Sequence, residues 1–155
     1  MIRRAKIEDI PPINELLQQV LAVHNAGRPD IFKPHGQKYT DDELAKILID
    51  DYNPVFVYED DAGTVLGHCF TQTNDRTESA SVNAYKTLYI DDLCVHEDAR
   101  GRHVGKALYD YVRNYAKQNG YHNVTLHAWE CNPKAVGFYE HLGLKVQSYT
   151  FEEIL

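Results

Sequence analysis

The chain has 155 residues, of which 43% are hydrophobic and 11% aromatic, so it has the length and apolar content of one domain with one core. Acidic residues outnumber basic ones by 23 to 16, and the formal net charge of -7 repels nucleic acids and anionic membrane surfaces while attracting small cations. No apolar run approaches the roughly 20 residues that span a bilayer, and the charged start Met1-Ile2-Arg3-Arg4 differs from a secretory signal. We therefore expect one domain, residues 1–155, that acts in the cytoplasm without a nucleic-acid or membrane partner.

The first part of the chain predicts a strand followed by a helix. Residues Ile2 to Ala5 form a short alternating run, and Asp9 is a typical helix cap ahead of two prolines in the first turn. Apolar residues recur at helical spacing from Ile13 to Leu21, and Gly27 ends the pattern.

Between residues 40 and 73 the pattern changes from helical to β. Thr40 and Glu43 are spaced as a capping box, which predicts a second, short helix. Two β-rich runs, Val55 to Glu59 and Val65 to Thr73, are separated by the turn residues 60–63, and this spacing predicts an antiparallel hairpin.

The segment from Val82 to Val95 is rich in β-branched and aromatic residues and predicts a long strand. Two adjacent carboxylates, Asp91 and Asp92, interrupt its alternation. A bulge at this point would restore the pattern, because one extra residue shifts the phase of the side chains by one.

The remaining segments complete a mixed pattern. An amphipathic helix begins near Val104, a short strand covers Val124 to Ala128, Asn132 caps a last helix, and Leu144 to Phe151 predicts a final strand. The order β α α β β β α β α β is typical of an α/β fold with a mixed, mostly antiparallel central sheet flanked by helices.

The turn between the long strand and the helix after it has the composition of an anion site. It carries the residues Arg100, Gly101, Arg102, Gly105 and Lys106. Free backbone N–H groups at a helix start bind phosphate, and glycines let the backbone approach it. A solvated basic surface turn remains the alternative, since short glycine motifs match by chance.

Two segments resemble one known family. The run Arg102-His103-Val104-Gly105-Lys106-Ala107 matches the signature Q/R-x-x-G-x-G/A of the GCN5-related N-acetyltransferases, the GNAT family, which uses acetyl-CoA. The run from Asn132 to Leu144 resembles the family's N-x-x-A-x-x-F-Y-x-x-x-G-F segment, with leucine in place of the last phenylalanine. The predicted order of elements is also that of the family, so the resemblance covers nearly the whole chain.

The resemblance implies where acetyl-CoA would bind. In the family the pantetheine arm pairs with the backbone of the fourth strand, and the turn and helix start hold the pyrophosphate. The cofactor residues implied here are Leu93, Cys94, Val95, Arg100, Gly101, Arg102, His103, Val104, Gly105, Lys106, Ala107 and Asn132. For Asn132 a plain helix cap is the alternative.

The resemblance also implies a catalytic residue. Tyr139 matches the tyrosine that protonates the departing thiolate of CoA, although a core aromatic beside Phe138 is the alternative. The reaction is then a direct attack of an amine on the thioester without a covalent enzyme intermediate.

Acidic residues near the bulge are the candidates for binding and deprotonating the amine. The segment Ile90 to Val95 is similar to the I-E-D-F-F-V segment of diamine acetyltransferases within the family, in which both acids line the polyamine site. Asp91 and Asp92 are therefore predicted as catalytic and substrate-binding, and Glu130 as substrate-binding. Pairing with an arginine or a backbone group is the alternative for each aspartate. Tyr89 stands where histone-type members place a glutamate base, which argues against that mechanism.

The histidines and cysteines do not predict a metal site. None of the eight histidines forms an i, i+4 pair or an HxH motif, and the three cysteines contain no CxxC pair. His127 is kept as a candidate proton relay. By analogy with the family's variable region, His24 and the loop after it are expected to shape the acceptor pocket.

The predicted function is transfer of an acetyl group from acetyl-CoA to a primary amine of a small, cationic metabolite, with no metal. Two alternatives stay open: acetylation of a protein N-terminus or lysine, and a non-catalytic domain that senses acyl-CoA. Apolar residues in the predicted final strand indicate a homodimer that covers this edge.

Overall fold

The computed structural model describes all residues from 1 to 155. The strands are β1 (Ile2–Arg4), β2 (Val55–Glu59), β3 (Val65–Arg76), β4 (Tyr85–Val95) and β5 (Asn123–Leu126). The helices are α1 (Ile10–Gly27), α2 (Asp41–Leu48), α3 (Val104–Gln118) and α4 (Pro133–His141), with short 3₁₀ turns at Ile7–Asp9 and Glu97–Ala99. No helix combines the length and the apolar composition needed to cross a bilayer.

The five strands form one sheet in the order β1-β2-β3-β4-β5. The first three pairings are antiparallel, and β4 pairs with β5 in parallel. The predicted fold class, a mixed and mostly antiparallel sheet flanked by helices, is confirmed.

Each face of the sheet is covered by helices that bury an apolar stripe. On one face, Ile13 of α1 and Leu44 of α2 are completely buried against β2. On the other face, Leu108 and Val112 of α3 are completely buried against β3 and β4. Truncating such a core leucine to alanine costs about 2–5 kcal/mol, so these two layers hold the sheet that carries the site.

The predicted bulge is present in β4. Phe70 of β3 faces Asp92, and the next residue, Thr71, faces Ile90, so Asp91 is the extra residue. Before the bulge, Ile90 packs on the α3 face, and after it Cys94 packs on the α1 face. The bulge therefore turns the buried carboxylate of Asp92 toward the α1 face.

One predicted cap is wrong and two are confirmed. Asp9 precedes α1, but its carboxylate instead binds the Arg3 guanidinium at 2.7 and 2.9 Å and accepts the Lys6 N–H at 2.8 Å. An arginine that offers two donors outcompetes a single helix N–H. Thr40 caps α2 and Asn132 caps α4 as predicted.

The final strand predicted from Leu144 to Phe151 is absent. Leu144 still packs on the α3-side core, but residues 145–155 are exposed and have no regular structure. A strand needs hydrogen-bond partners for its backbone groups, and residues 145–155 form no backbone hydrogen bond with β5, the edge strand of the sheet. Its apolar pattern is consequently left open to solvent, with Tyr149 77% and Phe151 90% exposed.

Candidate active site

A cleft opens where the two parallel strands separate. Pairing of β4 with β5 runs only from Thr87 and Asn123 to Ile90 and Leu126. Beyond this point β4 continues to Val95 while β5 ends, two residues earlier than the sequence predicts. A cavity of about 480 Å³ lies there, lined by β4, the segment after β5, α1, α4 and the loop between α1 and α2.

The backbone of β4 faces this cleft at two residues. The N–H of His96 donates to the carbonyl of Leu66 on β3 at 2.9 Å. Because backbone groups alternate along a strand, those of Leu93 and Val95 point away from β3 and toward the cleft. An extended ligand can pair with these groups, as predicted for the pantetheine arm. The side chain of Cys94 points the other way, its Sγ donating to the carbonyl of Leu16 at 3.4 Å.

The turn before α3 presents free backbone donors. Gly101 and His103 have positive φ angles of 76° and 61°, and His103 is the one residue other than glycine with this conformation. The first bond of α3 runs from the Ala107 N–H to the His103 carbonyl at 2.9 Å. The N–H groups of Val104, Gly105 and Lys106 thus have no partner within the helix and sit at its positive end.

The basic side chains of the turn are exposed. Arg100 and Arg102 are open to solvent, and Arg100 Nε donates to the carbonyl of Val95 at 3.4 Å. Lys106 forms an i, i+4 ion pair with Asp110 on α3. Two guanidinium groups and a helix start fit a pyrophosphate.

Gly105 has a packing role in addition. A Cβ at this position would lie 3.2 Å from the ring of Phe138 and 3.4 Å from a methyl of Val95. The glycine therefore allows α4 to approach α3 closely, and a larger residue would push the two helices apart.

The two aspartates of the bulge share one ammonium partner. Lys38 Nζ lies 3.0 Å from Asp91 Oδ2 and 3.5 Å from Asp92 Oδ2. Burial works to lower the pKa of Lys38, but the two carboxylates outweigh it and raise the pKa above its usual value. Lys38 is therefore a cation held by both acids.

A buried histidine lies behind this pair. His68 of β3 is fully buried, and its Nε2 lies 3.5 Å from Asp92 Oδ1. Neither ring nitrogen of His68 has a hydrogen-bond partner, and 3.5 Å is too long for a good hydrogen bond. Burial works to raise the pKa of Asp92, whereas His68 and Lys38 lower it, and the balance keeps Asp92 anionic.

One residue of α4 and the residue that caps this helix also line the cavity. Tyr139 lines it, and burial raises the pKa of its phenol well above the usual value, so the group keeps its proton. Asn132 also lines the cavity, while its Oδ1 accepts the N–H of Ala135 at 3.2 Å. The cap role of Asn132 is thus observed, and its amide nitrogen is not used by that bond.

Aromatic and imidazole side chains form the opposite wall. Phe32 contacts His24 and Trp129 with ring centroids 4.8 and 5.4 Å apart. The hydroxyl of Tyr89 and Nδ1 of His127 are 3.0 Å apart, just past the last paired residues of β4 and β5. Burial lowers the pKa of His24. The wall is therefore mainly aromatic, in contrast to the charged trio of Lys38, Asp91 and Asp92.

Comparison with known proteins identifies the family. The model of the acetyltransferase (GNAT) family matches residues 18–144, most of the chain. The chain belongs to the GNAT family. No curated protein sequence matches it significantly.

Solved structures confirm the GNAT fold. A tetramutant of the BH1408 protein from Bacillus halodurans is 26% identical, with a TM-score of 0.95 over 100% of this chain and 99% of that one. A glucosamine-6-phosphate N-acetyltransferase from Arabidopsis thaliana is 22% identical, with a TM-score of 0.73 and coverage of 99% and 97%. An aminoglycoside acetyltransferase from an uncultured soil metagenomic sample, solved with sisomicin, is 20% identical, with a TM-score of 0.72 and coverage of 100% and 95%.

Within this GNAT chain one cavity brings together part of the predicted set, while the turn and helix start 100–107 lie outside its lining. Asp91, Asp92, Asn132 and Tyr139 line one cavity. Glu130, predicted to bind substrate, is exposed and lies outside the cavity lining.

Sequence reasoning missed two residues beside the acids. His68 could have been identified from the sequence, since it is a polar residue inside the apolar run from Val65 to Phe70. No sequence pattern indicates Lys38, because it lies in an irregular loop more than 50 positions before the acids it contacts. Among the His, Cys, Asp and Glu side chains, no group of three or more is arranged to hold a metal ion.

Proposed function

We propose that this GNAT protein transfers the acetyl group of acetyl-CoA to a primary amine of a small, cationic metabolite by direct attack in a ternary complex. The observation that carries the proposal is the shared cavity of Asp91, Asp92 and Tyr139 at the point where β4 and β5 separate. The cavity therefore contains two carboxylates that can bind an ammonium group and a protonated phenol that can give a proton to a leaving group.

The size of the cavity supports a small acceptor. A volume of about 480 Å³ lies within the range typical of small-molecule sites. Residues of α1, the following loop and α4 line it together with β4, and a pocket of this size suits a small amine better than the extended segment around a protein N-terminus or lysine. Among GNAT neighbours, one acts on glucosamine-6-phosphate and another is an aminoglycoside acetyltransferase, which also favours small amines.

Acetyl-CoA supplies the activated carbonyl. The chain offers two kinds of contact for the rest of this molecule. The cleft-facing backbone of Leu93 and Val95 suits an extended pantetheine arm. The free N–H groups at the start of α3, together with Arg100 and Arg102, suit the pyrophosphate. Asn132 is positioned to donate its amide N–H to the arm.

The acceptor amine must lose a proton before it attacks. An amine with a pKa near 10.4 is only about 0.04% neutral at pH 7, which is a handicap of roughly 4–5 kcal/mol. Asp92 is anionic and lines the cavity, so we assign it the role of proton acceptor, and Asp91 that of a second contact for the ammonium.

The leaving thiolate needs a proton at the end of the reaction. Tyr139 holds its proton because burial raises its pKa, and it lies in the same cavity. We assign it the role of general acid toward the sulfur. The nitrogen starts as an ammonium, gives one proton to Asp92 before attack and loses a second when the adduct collapses to the amide. The second balances the proton that Tyr139 gives to the sulfur, so one proton is released per turnover.

A free-thiol assay tests the function. Purified protein with acetyl-CoA is offered a panel of diamines and polyamines, aminoglycosides, amino-sugar phosphates, amino acids and short peptides, with the Tyr139→Phe variant as control. Saturable release of CoA thiol on a small amine, reduced in the variant, is the expected result.

The same assay separates the alternatives. Turnover on peptides alone would favour the protein-acetylating function. Binding of acetyl-CoA, measured by calorimetry, without turnover on any amine would favour a sensor domain and would contradict the catalytic role of Tyr139.

We further propose that the chain forms a homodimer through residues 145–155. This segment exposes Val146, Tyr149, Phe151 and Ile154, of which Phe151 is 90% exposed, and only the ion pair of Arg28 with Glu152 ties it to the rest of the chain by side chains. Large exposed apolar side chains in one short segment indicate a buried surface in an assembly.

Light scattering after size exclusion should give twice the chain mass. Phe151→Asp should give a monomer, and a wild-type monomer would refute the proposal.

A further inference from the structure

We infer that Lys38 is an internal occupant of the acceptor site, a tethered ammonium that an acceptor amine must displace in order to bind. The inference rests on the proposed function, because it takes Asp91 and Asp92 as the pair that receives the acceptor's ammonium.

The contacts of Lys38 are those that an acceptor ammonium would make. Its Nζ bridges both carboxylates, at 3.0 Å from Asp91 Oδ2 and 3.5 Å from Asp92 Oδ2. An ammonium has three donors and no acceptor, so a free amine and Lys38 compete for the same oxygens. The remaining carboxylate oxygen of Asp92 faces buried His68 and is not open to an external ligand.

Lys38 can leave this position, whereas the acids cannot. Its side chain is 41% exposed, while that of Asp92 is only 7% exposed. The segment from Arg28 to Tyr39 contains neither helix nor strand, so it can move without breaking a ladder of backbone bonds. The only other attractive contact of the ammonium is with the ring face of Tyr39, 5.3 Å away, and that residue belongs to the same segment.

Removing Lys38 would leave two buried or half-buried carboxylates without a counter-ion. Asp91 and Asp92 are adjacent on the bulge, and the other side chain within salt-bridge distance of them is His68. Displacement by a neutral ligand is therefore unfavourable, because it would leave these charges unpaired. Lys38 thus acts as a specificity-determining residue, since only a positively charged ligand replaces the ion pairs that the Lys38 ammonium makes with the two carboxylates.

The expected size of the effect follows from occupancy. The apparent affinity for a competing ligand equals its intrinsic affinity multiplied by the fraction of molecules in which the site is free. If Lys38 holds the acids in nine of ten molecules, an amine binds about ten-fold more weakly than it would without Lys38.

A direct test follows the lysine itself. Protein labelled with [ε-¹³C]lysine is titrated with 1,4-diaminobutane and observed by NMR, with the Lys38 signal assigned by its loss in Lys38→Arg. Saturable movement of the Lys38 signal toward the position of a free lysine is expected, and Lys33, which lines the same cavity without an ion pair, serves as internal control. Diamine binding that leaves the Lys38 signal in place would overturn the inference.

A second test measures affinity. Calorimetry with 1,4-diaminobutane should give about ten-fold tighter binding to Lys38→Met and unchanged binding to Lys117→Met, the control at an exposed lysine of α3 outside the cavity. Equal affinity of wild type and Lys38→Met, or no binding to either, would also overturn it. None of these measurements requires turnover, so failure of the inference leaves the free-thiol result on other amines intact, and absence of turnover leaves the displacement of Lys38 measurable.

Discussion

The two ends of the cleft are built in different ways. The proposed cofactor end, defined as the β4 residues 93–95 and the turn and helix start 100–107, lies within one short stretch of the chain and offers mainly backbone groups. The acceptor end, defined as Lys38, His68, Asp91 and Asp92, is assembled from side chains of two strands and a loop. A backbone site depends on local conformation and tolerates side-chain change, whereas a side-chain site depends on each residue. Substitutions should therefore be far more harmful at the acceptor end.

The largest effect is expected at Asp92. Asp92→Asn keeps the shape but removes the proton acceptor, and general-base catalysis is typically worth 10²–10⁴ in rate. We expect kcat to fall about 100-fold or more with acetyl-CoA affinity unchanged, measured by the free-thiol assay and calorimetry. Asp91→Asn, the matched change at the more exposed neighbour, should raise KM with a smaller effect on kcat. Equal kcat losses in both variants would contradict the division of roles.

A smaller loss of turnover is expected at Tyr139, which lies between the two ends. Tyr139→Phe should lower kcat by roughly 10–100-fold, because a general acid is lost, with little change in acetyl-CoA affinity. A large loss of affinity would show that the ring is structural.

The pH profile of the wild type offers a separate check on Tyr139. A raised pKa means that the proton stays on the phenol beyond the usual titration of tyrosine near pH 10. No fall in kcat attributable to Tyr139 is therefore expected as the pH rises to 10. A basic limb near pH 9–10 that disappears in Tyr139→Phe would contradict the raised pKa.

At the cofactor end the expected effect is moderate. Arg102→Ala removes one exposed charge-assisted contact while the helix N–H groups remain, so acetyl-CoA affinity should fall about ten-fold with kcat at saturation unchanged. Arg113→Ala, an exposed arginine further along α3, is the control and should have no effect. If Arg102→Ala abolishes binding, the cofactor end depends on side chains after all.

The smallest effect is expected at His103. Its left-handed backbone costs a non-glycine residue about 1–2 kcal/mol, which glycine avoids at the expense of chain entropy. His103→Gly should raise the melting temperature by about 2 °C with unchanged acetyl-CoA affinity, measured by thermal unfolding and calorimetry. Weaker binding would show that the imidazole itself contacts the cofactor.

Local signals explain what could be predicted. The capping box at Thr40, the cap at Asn132 and the bulge at Asp91 depend on neighbouring residues, and each is present in the structure. Asp9 failed as a cap because its partner, Arg3, comes from a different element. The predicted final strand is absent because residues 145–155 do not pair with an edge of the sheet, and such pairing depends on the tertiary structure and not on the local pattern.

Periodicity, caps and the glycine-containing turn predict the strand, the turn and the helix start of the proposed cofactor end, because these signals act through residues close together along the chain. The sequence also predicts that two acids stand at a bulge, and it shows which family the chain resembles. Only the tertiary structure decided that Lys38 holds these acids, that His68 lies buried behind them with unpaired nitrogens, and that Glu130 stays outside. The physical reason is that ion pairs and burial depend on distances in space, and packing of the loop after α1 against the end of β4 brings together charges that no local pattern relates.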